Sequence, residues 1–208
     1  MKQISILLFL ILLYSCHQKE KEQTASFTTN STSKTFEEKL SDAAISLVDP
    51  TIDYDPAYFS IAYPNGDIPK NKGVCTDVII RTYRKLGIDL QKEVHEDMVA
   101  NFPEYPNLKK WGMTKTDTNI DHRRVPNLEV FFERKGEKLA VSQNPSAYKT
   151  GEMVTWIING KLPHIGIVTN KKSKDGKRNL IVHNVGGGQV LEDCLFEYKI
   201  TGHYRYWK

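Results

Sequence analysis

The spacing of apolar residues changes between residues 136 and 151. Before this point, apolar residues recur at helical spacing in several segments, among them the stretch from Cys75 to Leu86, which ends at Gly87. After it, β-rich runs such as "HIGIVTN", "NLIVHNVGGG" and "QVLEDCLF" are separated by turn residues, and "GHYRYW" is expected to close the sheet. Helices followed by a meander of antiparallel strands indicate an α+β fold.

The N-terminal segment indicates export. An apolar run over residues 4–14 follows a single lysine and is too short to span a bilayer, which favours a secretory signal. The run ends in "LYSC", which resembles the lipobox of bacterial lipoproteins and implies cleavage before Cys16 and lipidation of that cysteine. Polar, Ser/Thr-rich sequence follows. We predict a signal peptide over residues 1–15, a flexible tether over 16–34 and a domain over 35–208, anchored to a membrane of the bacterial envelope and lying in the periplasm or on the cell surface.

Composition and charge exclude several function classes. Hydrophobic residues make up 39% of the chain, enough to bury a core, and the net charge of +4 is spread among interleaved acidic and basic residues. Nucleic-acid binding needs a concentrated basic stripe, which the sequence lacks. The run His95-Glu96-Asp97 does not indicate a metal site, since adjacent helical positions point apart. We expect no metal, no cofactor and a monomer.

Cys75 is the candidate nucleophile. A cysteine in the first turn of a helix meets unpaired N–H groups and the positive end of the helix dipole, and both favour the reactive thiolate. His164 begins one predicted strand and His183 ends the next, so a hairpin can bring them together. One imidazole would then act as base and the other would orient it. Spacing alone also fits a structural cysteine and two histidines of the core.

Four motifs resemble the NlpC-type cell-wall peptidases. They are "GVCTDVIIRTYRKLG", "GEMVTWI", "HIGIV" and "IVHN", in the order of that papain-like superfamily. The resemblance implies a papain-like domain in which the nucleophile helix packs on an antiparallel sheet. It also implies a cysteine amidase or peptidase acting on peptidoglycan peptides, with Cys75 as nucleophile, His164 as general base and His183 as orienting residue. Tyr63, in "IAYPNG", matches a tyrosine that the superfamily often places near the oxyanion.

A second resemblance covers roughly residues 40–208. The phrases "VHEDM", "NIDHRRVPNL" and "ITGHYRY" resemble those of the domain of unknown function 1287, a family of bacterial envelope proteins. Because that family is itself uncharacterised, it supports the fold more than the substrate.

The chain departs from the NlpC pattern at several positions. Thr76 and Asp77 follow the cysteine in place of Ser-Gly, and Asp77 could cap the helix or raise the thiol pKa. Glu152 replaces the usual aspartate. Asn184 lies beside His183 and is an alternative orienting residue, since the two point to opposite faces of a strand.

A disulfide would give Cys75 a structural role instead. Once Cys16 is lipidated, Cys75 and Cys194 are the two remaining thiols, and an oxidising compartment favours their pairing. The apolar flanks of Cys194 fit a buried free thiol equally well.

Four ionisable residues precede a predicted helix. An arginine fork pairs well with carboxylates, so this cluster could recognise an anionic ligand, and a solvated group of salt bridges is the alternative. Its members are Asp121, His122, Arg123 and Arg124.

Two other functions stay open. A thiol acyltransferase on the same fold would use the same cysteine and histidine with an apolar acyl groove. A non-catalytic envelope binding module would have Cys75 bonded to Cys194.

Overall fold

The structure, a computed structural model, describes residues 33–207. The predicted signal peptide, the predicted lipid site at Cys16 and the tether up to residue 32 lie outside the described residues, so these features stay predictions. Among the helices that are described, none has the length and apolar character needed to cross a membrane.

The first half of the described chain is mainly helical. The helices are α1 (Phe36–Ile45), α2 (Cys75–Lys85), α3 (Leu90–Ala100), α4 (Asn107–Trp111) and α5 (Val125–Lys135). Helix α1 begins with a capping box, in which the Thr35 side chain accepts the Glu38 N–H and the Glu38 carboxylate accepts the Thr35 N–H. Single turns of 3₁₀ helix occur at Phe102–Glu104, Asp121–Arg123 and Pro145–Ala147.

The strands form two sheets. A small parallel pair consists of β1 (Asp53–Tyr54) and β2 (Lys72–Gly73). The main sheet consists of β3 (Glu137–Lys138), β4 (Met153–Ile158), β5 (Leu162–Lys172), β6 (Asn179–His183), β7 (Val190–Glu192) and β8 (Lys199–Arg205). Its order is β3-β8-β4-β5-β6-β7, and every neighbouring pair is antiparallel.

The two faces of the main sheet are covered differently. Side chains alternate along each strand, so Ile165 and Val182 join the helices in one core cluster, which also contains Cys75. On the opposite face, Trp156 and its neighbours pack against loop residues in a second cluster, which contains Cys194. We call these the helix face and the loop face of the sheet.

The predicted α+β class with an antiparallel sheet is confirmed. Helix α2 ends within one residue of its predicted end. The prediction for "GHYRYW" is corrected: its strand, β8, lies between β3 and β4, because the short β3 that follows α5 pairs outside it. The predicted strand in "QVLEDCLF" ends at Glu192, so Cys194 lies in the following loop.

Candidate active site

Cys75 is the first residue of α2, and its side chain is buried. The helix begins here because Val74 is extended and its N–H donates to Oδ2 of Asp77 over 2.7 Å. The backbone N–H groups of Cys75 itself, Thr76 and Ile165 each lower the pKa of this thiol. The local backbone therefore presents the thiol to the positive end of the helix dipole, as the sequence predicts.

Burial and the amide donors act on this thiol in opposite directions. Burial raises the pKa of Cys75 to about 12, and the charge of Asp77 adds to the increase, whereas the three N–H groups lower the pKa. Because burial dominates, Cys75 is a neutral thiol at pH 7. Nucleophilic attack by this side chain therefore requires a base.

The structure brings the two predicted histidines into contact. Nε2 of His164 lies 2.9 Å from Nδ1 of His183, and both rings are buried. On the far side, Nε2 of His183 lies 3.0 Å from Oε2 of Glu192 and 3.5 Å from Sγ of Cys194. Burial lowers the pKa of His164 to about 3 and also lowers that of His183, with Glu192 opposing the second effect. At pH 7 both imidazoles are neutral.

The thiol and the first imidazole lie on opposite faces of the sheet. The backbone N–H of Ile165, the residue after His164, lowers the pKa of the Cys75 thiol. Ile165 lies on the helix face, whereas the His164 ring lies 5.8 Å from that of Trp156 on the loop face. Within residues 33–207, no hydrogen bond joins Cys75 directly to His164. Because Nε2 of His164 faces His183, Nδ1 is the nitrogen that would have to receive a proton from the thiol.

A cavity of about 350 Å³ includes Cys75 in its wall. Larger cavities, of about 840, 650, 630 and 440 Å³, are lined by none of the predicted site residues. The smaller cavity is therefore the candidate substrate site. Its other lining residues are Tyr54, Pro56, Val74, Trp111, Ile120, Arg123, Arg124, Val125, Pro126, Leu162 and Pro163.

The structure places Tyr54, and not Tyr63, beside the thiol. Strand β1 pairs with β2 directly before α2, with Tyr54 opposite Gly73, so the tyrosine lines the cavity. Burial is the main cause that raises the pKa of Tyr54 to about 12, and Cys75 and Asp77 contribute to the same increase. Tyr63 is 40% exposed and contacts the ring of His95 on α3. Tyr54, and not the predicted Tyr63, is therefore the tyrosine that lines the cavity with Cys75.

Arg123 is held in the structure by buried hydrogen bonds. Its guanidinium forms a two-pronged pair with Asp77, at 2.9 and 3.0 Å, and donates to the carbonyl groups of Asp55 and Ala57. The Asp77 carboxylate thus joins α2 to the loop that carries Arg123. Although Arg123 borders the cavity, most of its donors are already used within the protein.

Arg124 is the more available cation of the cluster. Its guanidinium lies 4.1 Å from the ring centre of Trp111 and 3.3 Å from Asp121, and it borders the cavity. Asp121 is buried and accepts from Asn107 and from the backbone of Asp117. It holds the loop in place and does not line the cavity.

His122 is buried away from the cavity. Burial lowers the pKa of His122 to about 3, so this side chain is neutral at pH 7. The predicted four-residue cluster therefore divides into two arginines on the cavity wall and two residues behind it.

Asn184 has a different role from His183. Its amide donates to the carbonyl of Gly73 over 3.3 Å and accepts from Gly186, which joins the end of β6 to the start of α2. Of the two candidates for the orienting position, His183 is the one that contacts His164.

No disulfide joins Cys75 and Cys194, which are both free and buried. The two belong to core clusters on opposite faces of the main sheet, so the sheet lies between them. Among residues 33–207, no group of three or more His, Cys, Asp or Glu side chains is arranged to hold a metal ion.

Sequence reasoning missed Tyr54, Trp111 and Glu192. Tyr54 reaches the site through a parallel pairing across 17 intervening residues, of which the sequence gives no sign. The sequence does contain a signal for Glu192. A strand that follows His183 after a Gly-rich turn brings its residues back beside that histidine.

Comparison with known proteins identifies a family whose description gives no activity. Residues 41–206 match the family described as "Domain of unknown function (DUF1287)". A relative from Escherichia coli (strain K12), "Uncharacterized protein YijF", is 48% identical over 167 residues, which cover 80% of this chain and 80% of the relative. The resemblance to this domain family is confirmed.

Proposed function

We propose that this chain, which belongs to the DUF1287 family, is a cysteine amidase or peptidase of the bacterial envelope that cleaves cell-wall peptides. The observation that carries the proposal is the position of Cys75, which is the first residue of α2 and lies in the wall of a cavity. The His164–His183 contact and the order of the four motifs support a papain-like, NlpC-type domain.

Cys75 and His164 would share the chemical step. Sγ of Cys75 attacks the carbonyl carbon of the scissile amide, while Nδ1 of His164 takes the thiol proton. His164 then gives this proton to the leaving amine, and water hydrolyses the resulting thioester. In the resting structure the thiol and the His164 ring lie on opposite faces of the sheet, so the proposed transfer requires a bridging water or a movement of the ring toward the cavity when substrate binds. His183 orients His164 throughout.

The start of α2 would stabilise the tetrahedral intermediate. Cys75 is the first residue of α2, so its backbone N–H has no partner within the helix and would lie close to the oxygen of a carbonyl attacked by the sulfur. Tyr54 lies on the same wall, and its raised pKa keeps the phenol protonated and able to donate. Tyr54 therefore takes the supporting role predicted for Tyr63.

Arg124 would recognise a carboxylate of the substrate. Peptidoglycan stem peptides carry such groups, and a guanidinium stacked on Trp111 presents its edge to an anion. Arg123 contributes charge to the same wall, while its pairing with Asp77 fixes the loop.

The envelope location belongs to the same proposal. A chain cut before Cys16 and lipidated there would be held at a membrane, with its domain outside the cytoplasm near the cell wall. The proposed substrate lies in that compartment, and the domain would act as a monomer without a metal or an organic cofactor.

A thiol acyltransferase is the second candidate. Most residues that line the cavity are apolar, including Val125 and Leu162, which would suit an acyl chain. The two candidates share Cys75 and differ in the acceptor of the acyl group.

The deciding experiment uses the full-length chain in detergent. Wild type, Cys75→Ala and Cys194→Ala are each incubated with purified muropeptides under mild reductant, and the products are read by mass spectrometry. We expect cleavage by wild type and by Cys194→Ala, the matched change of the other buried thiol, and none by Cys75→Ala. The product masses identify which bond of the muropeptide is cleaved.

Two results would overturn the amidase proposal. One is cleavage by Cys75→Ala at the wild-type rate. The other is no cleavage by wild type. A parallel incubation with phospholipid and lipoprotein peptide decides the second candidate, because an acyltransferase would yield a lipid-acylated product.

A further inference from the structure

We propose that Glu192 is a positioning residue that fixes which nitrogen of His183, and through it of His164, carries a proton. The inference rests on the proposed function for its consequence in catalysis. It adds a third member to the row of His164 and His183.

The row runs diagonally over three neighbouring strands. His183 of β6 pairs with Val190 of β7, and Glu192 lies two residues further along β7 on the same face. Diagonal neighbours of this kind are within reach of long side chains. The Glu192 side chain is 51% exposed, so it reaches in from the solvent to a histidine that is fully buried.

The carboxylate decides the tautomer of His183. An ionised carboxylate only accepts hydrogen bonds, so Nε2 of His183, at 3.0 Å, must carry a hydrogen. A neutral imidazole with Nε2–H has a bare Nδ1, which then accepts from Nε2–H of His164 at 2.9 Å.

The tautomer of His183 in turn determines the tautomer of His164. His164 that donates from Nε2 has a bare Nδ1, and this is the nitrogen that must take the thiol proton. Glu192 thereby keeps His164 in the form of a base without touching the substrate.

A hydrogen bond from Cys194 would favour the opposite tautomers of the two histidines. Its Sγ lies 3.5 Å from the same Nε2, and a thiol can donate its hydrogen to a bare nitrogen. Nδ1 of His183 would then be protonated and would donate to His164, which would leave Nδ1 of His164 protonated and unable to accept. The carboxylate oxygen of Glu192 is nearer than the sulfur and is a stronger hydrogen-bond acceptor. We therefore expect Nε2 of His183 to carry the hydrogen and to donate it to Glu192.

The first test reads the tautomers directly and does not depend on activity. The full-length chain in detergent is labelled with ¹⁵N in its histidine rings, and the resonances of the two histidines are assigned with His164→Gln and His183→Gln. In wild type we expect Nε2 protonated and Nδ1 bare in both rings. In Glu192→Ala we expect the proton of His183 on Nδ1.

Two matched variants separate this role from a general loss of charge. Glu197 also acts on His183 electrostatically but has no hydrogen bond to it, so Glu197→Ala should keep the wild-type pattern. Glu192→Gln retains an accepting oxygen and should also keep that pattern. Unchanged nitrogen shifts in Glu192→Ala, or equal changes in Glu197→Ala, would overturn the inference.

The second test is the rate of muropeptide cleavage. Glu192→Ala should lower kcat by about 10- to 100-fold with little change in KM, as for other partners that orient a functional histidine; Glu197→Ala should not. A wild-type chain that cleaves nothing would sink the proposed function, and the nitrogen shifts would still decide the role of Glu192.

Discussion

Cys75 shows how much one residue's chemistry depends on its surroundings. The helix start supplies the amide donors that the sequence predicts, and they do lower the pKa of the thiol. Burial outweighs them, and burial follows from packing between α2 and β5, which a local motif does not reveal. The resting site is therefore a neutral thiol near a neutral imidazole.

Slow alkylation of Cys75 follows from its raised pKa. At pH 8, a thiol whose pKa is about 12 is ionised on the order of 10³-fold less than an ordinary cysteine. We expect iodoacetamide to modify Cys75 more slowly than free cysteine by about that factor, with the rate rising tenfold per pH unit up to pH 10. Peptide mapping by mass spectrometry distinguishes Cys75 from Cys194. Fast, pH-independent labelling of Cys75 would show a thiolate in the resting state.

Removal of the Arg123 side chain should destabilise the fold strongly. The Arg123→Met change would leave Asp77 buried with no cation, and loss of one partner of a buried pair costs about 3–5 kcal/mol. Arg178→Met is the control, because Arg178 and Asp193 are partly exposed and such pairs contribute about 1 kcal/mol or less. Urea unfolding measures both. Equal losses would mean that the Asp77–Arg123 pair is not what holds this loop.

At the scale of elements, the sequence predicts the positions of individual helices and strands but not the pairing of distant strands. The period of apolar residues places α2 within one residue, and β5 and β6 arise where alternating apolar runs predict them. Tyr54 enters the site only because β1 pairs with β2, and β8 lies inside the sheet only because β3 pairs with it. Such pairings depend on the whole chain, so no short stretch of sequence encodes them.

Gly166 on β5 provides the space for the histidine pair. A Cβ atom at this position would lie 2.6 Å from Cγ2 of Ile181 and 3.2 Å from Cβ of His183. The β-branched Ile181 is buried and has little freedom to move. We expect Gly166→Ala to lower the free energy of unfolding by about 1–3 kcal/mol and to displace His183.

The matched change is Gly187→Ala in the turn after β6. No atom lies within 4 Å of a Cβ built there, so this variant should unfold like wild type. Denaturant curves together with cleavage rates compare the two. A Gly166→Ala variant with wild-type stability and rate would show that β5 can shift to accept the methyl group.

Three histidines of the described chain whose pKa values are lowered lie in its buried interior. His164 and His183 lie on the loop face of the sheet, and His122 lies in the loop before α5. Burial lowers the pKa of all three, to about 3 for His122 and His164. The fold thus keeps its candidate base neutral, at the expense of stability in acid.

Stability should fall as the pH drops below the ordinary histidine pKa. Between about pH 6.5 and the lowered pKa values, the unfolded chain binds protons that the folded chain does not, so each buried histidine removes up to roughly 1.4 kcal/mol per pH unit. Urea unfolding of the full-length chain between pH 7 and pH 5 measures this slope before most carboxylates titrate. His122→Asn removes one of the three groups without touching the His164–His183 pair, so the slope should become shallower. A slope that does not change in this variant would mean that His122 is already protonated in the folded protein, and that its loop opens to water.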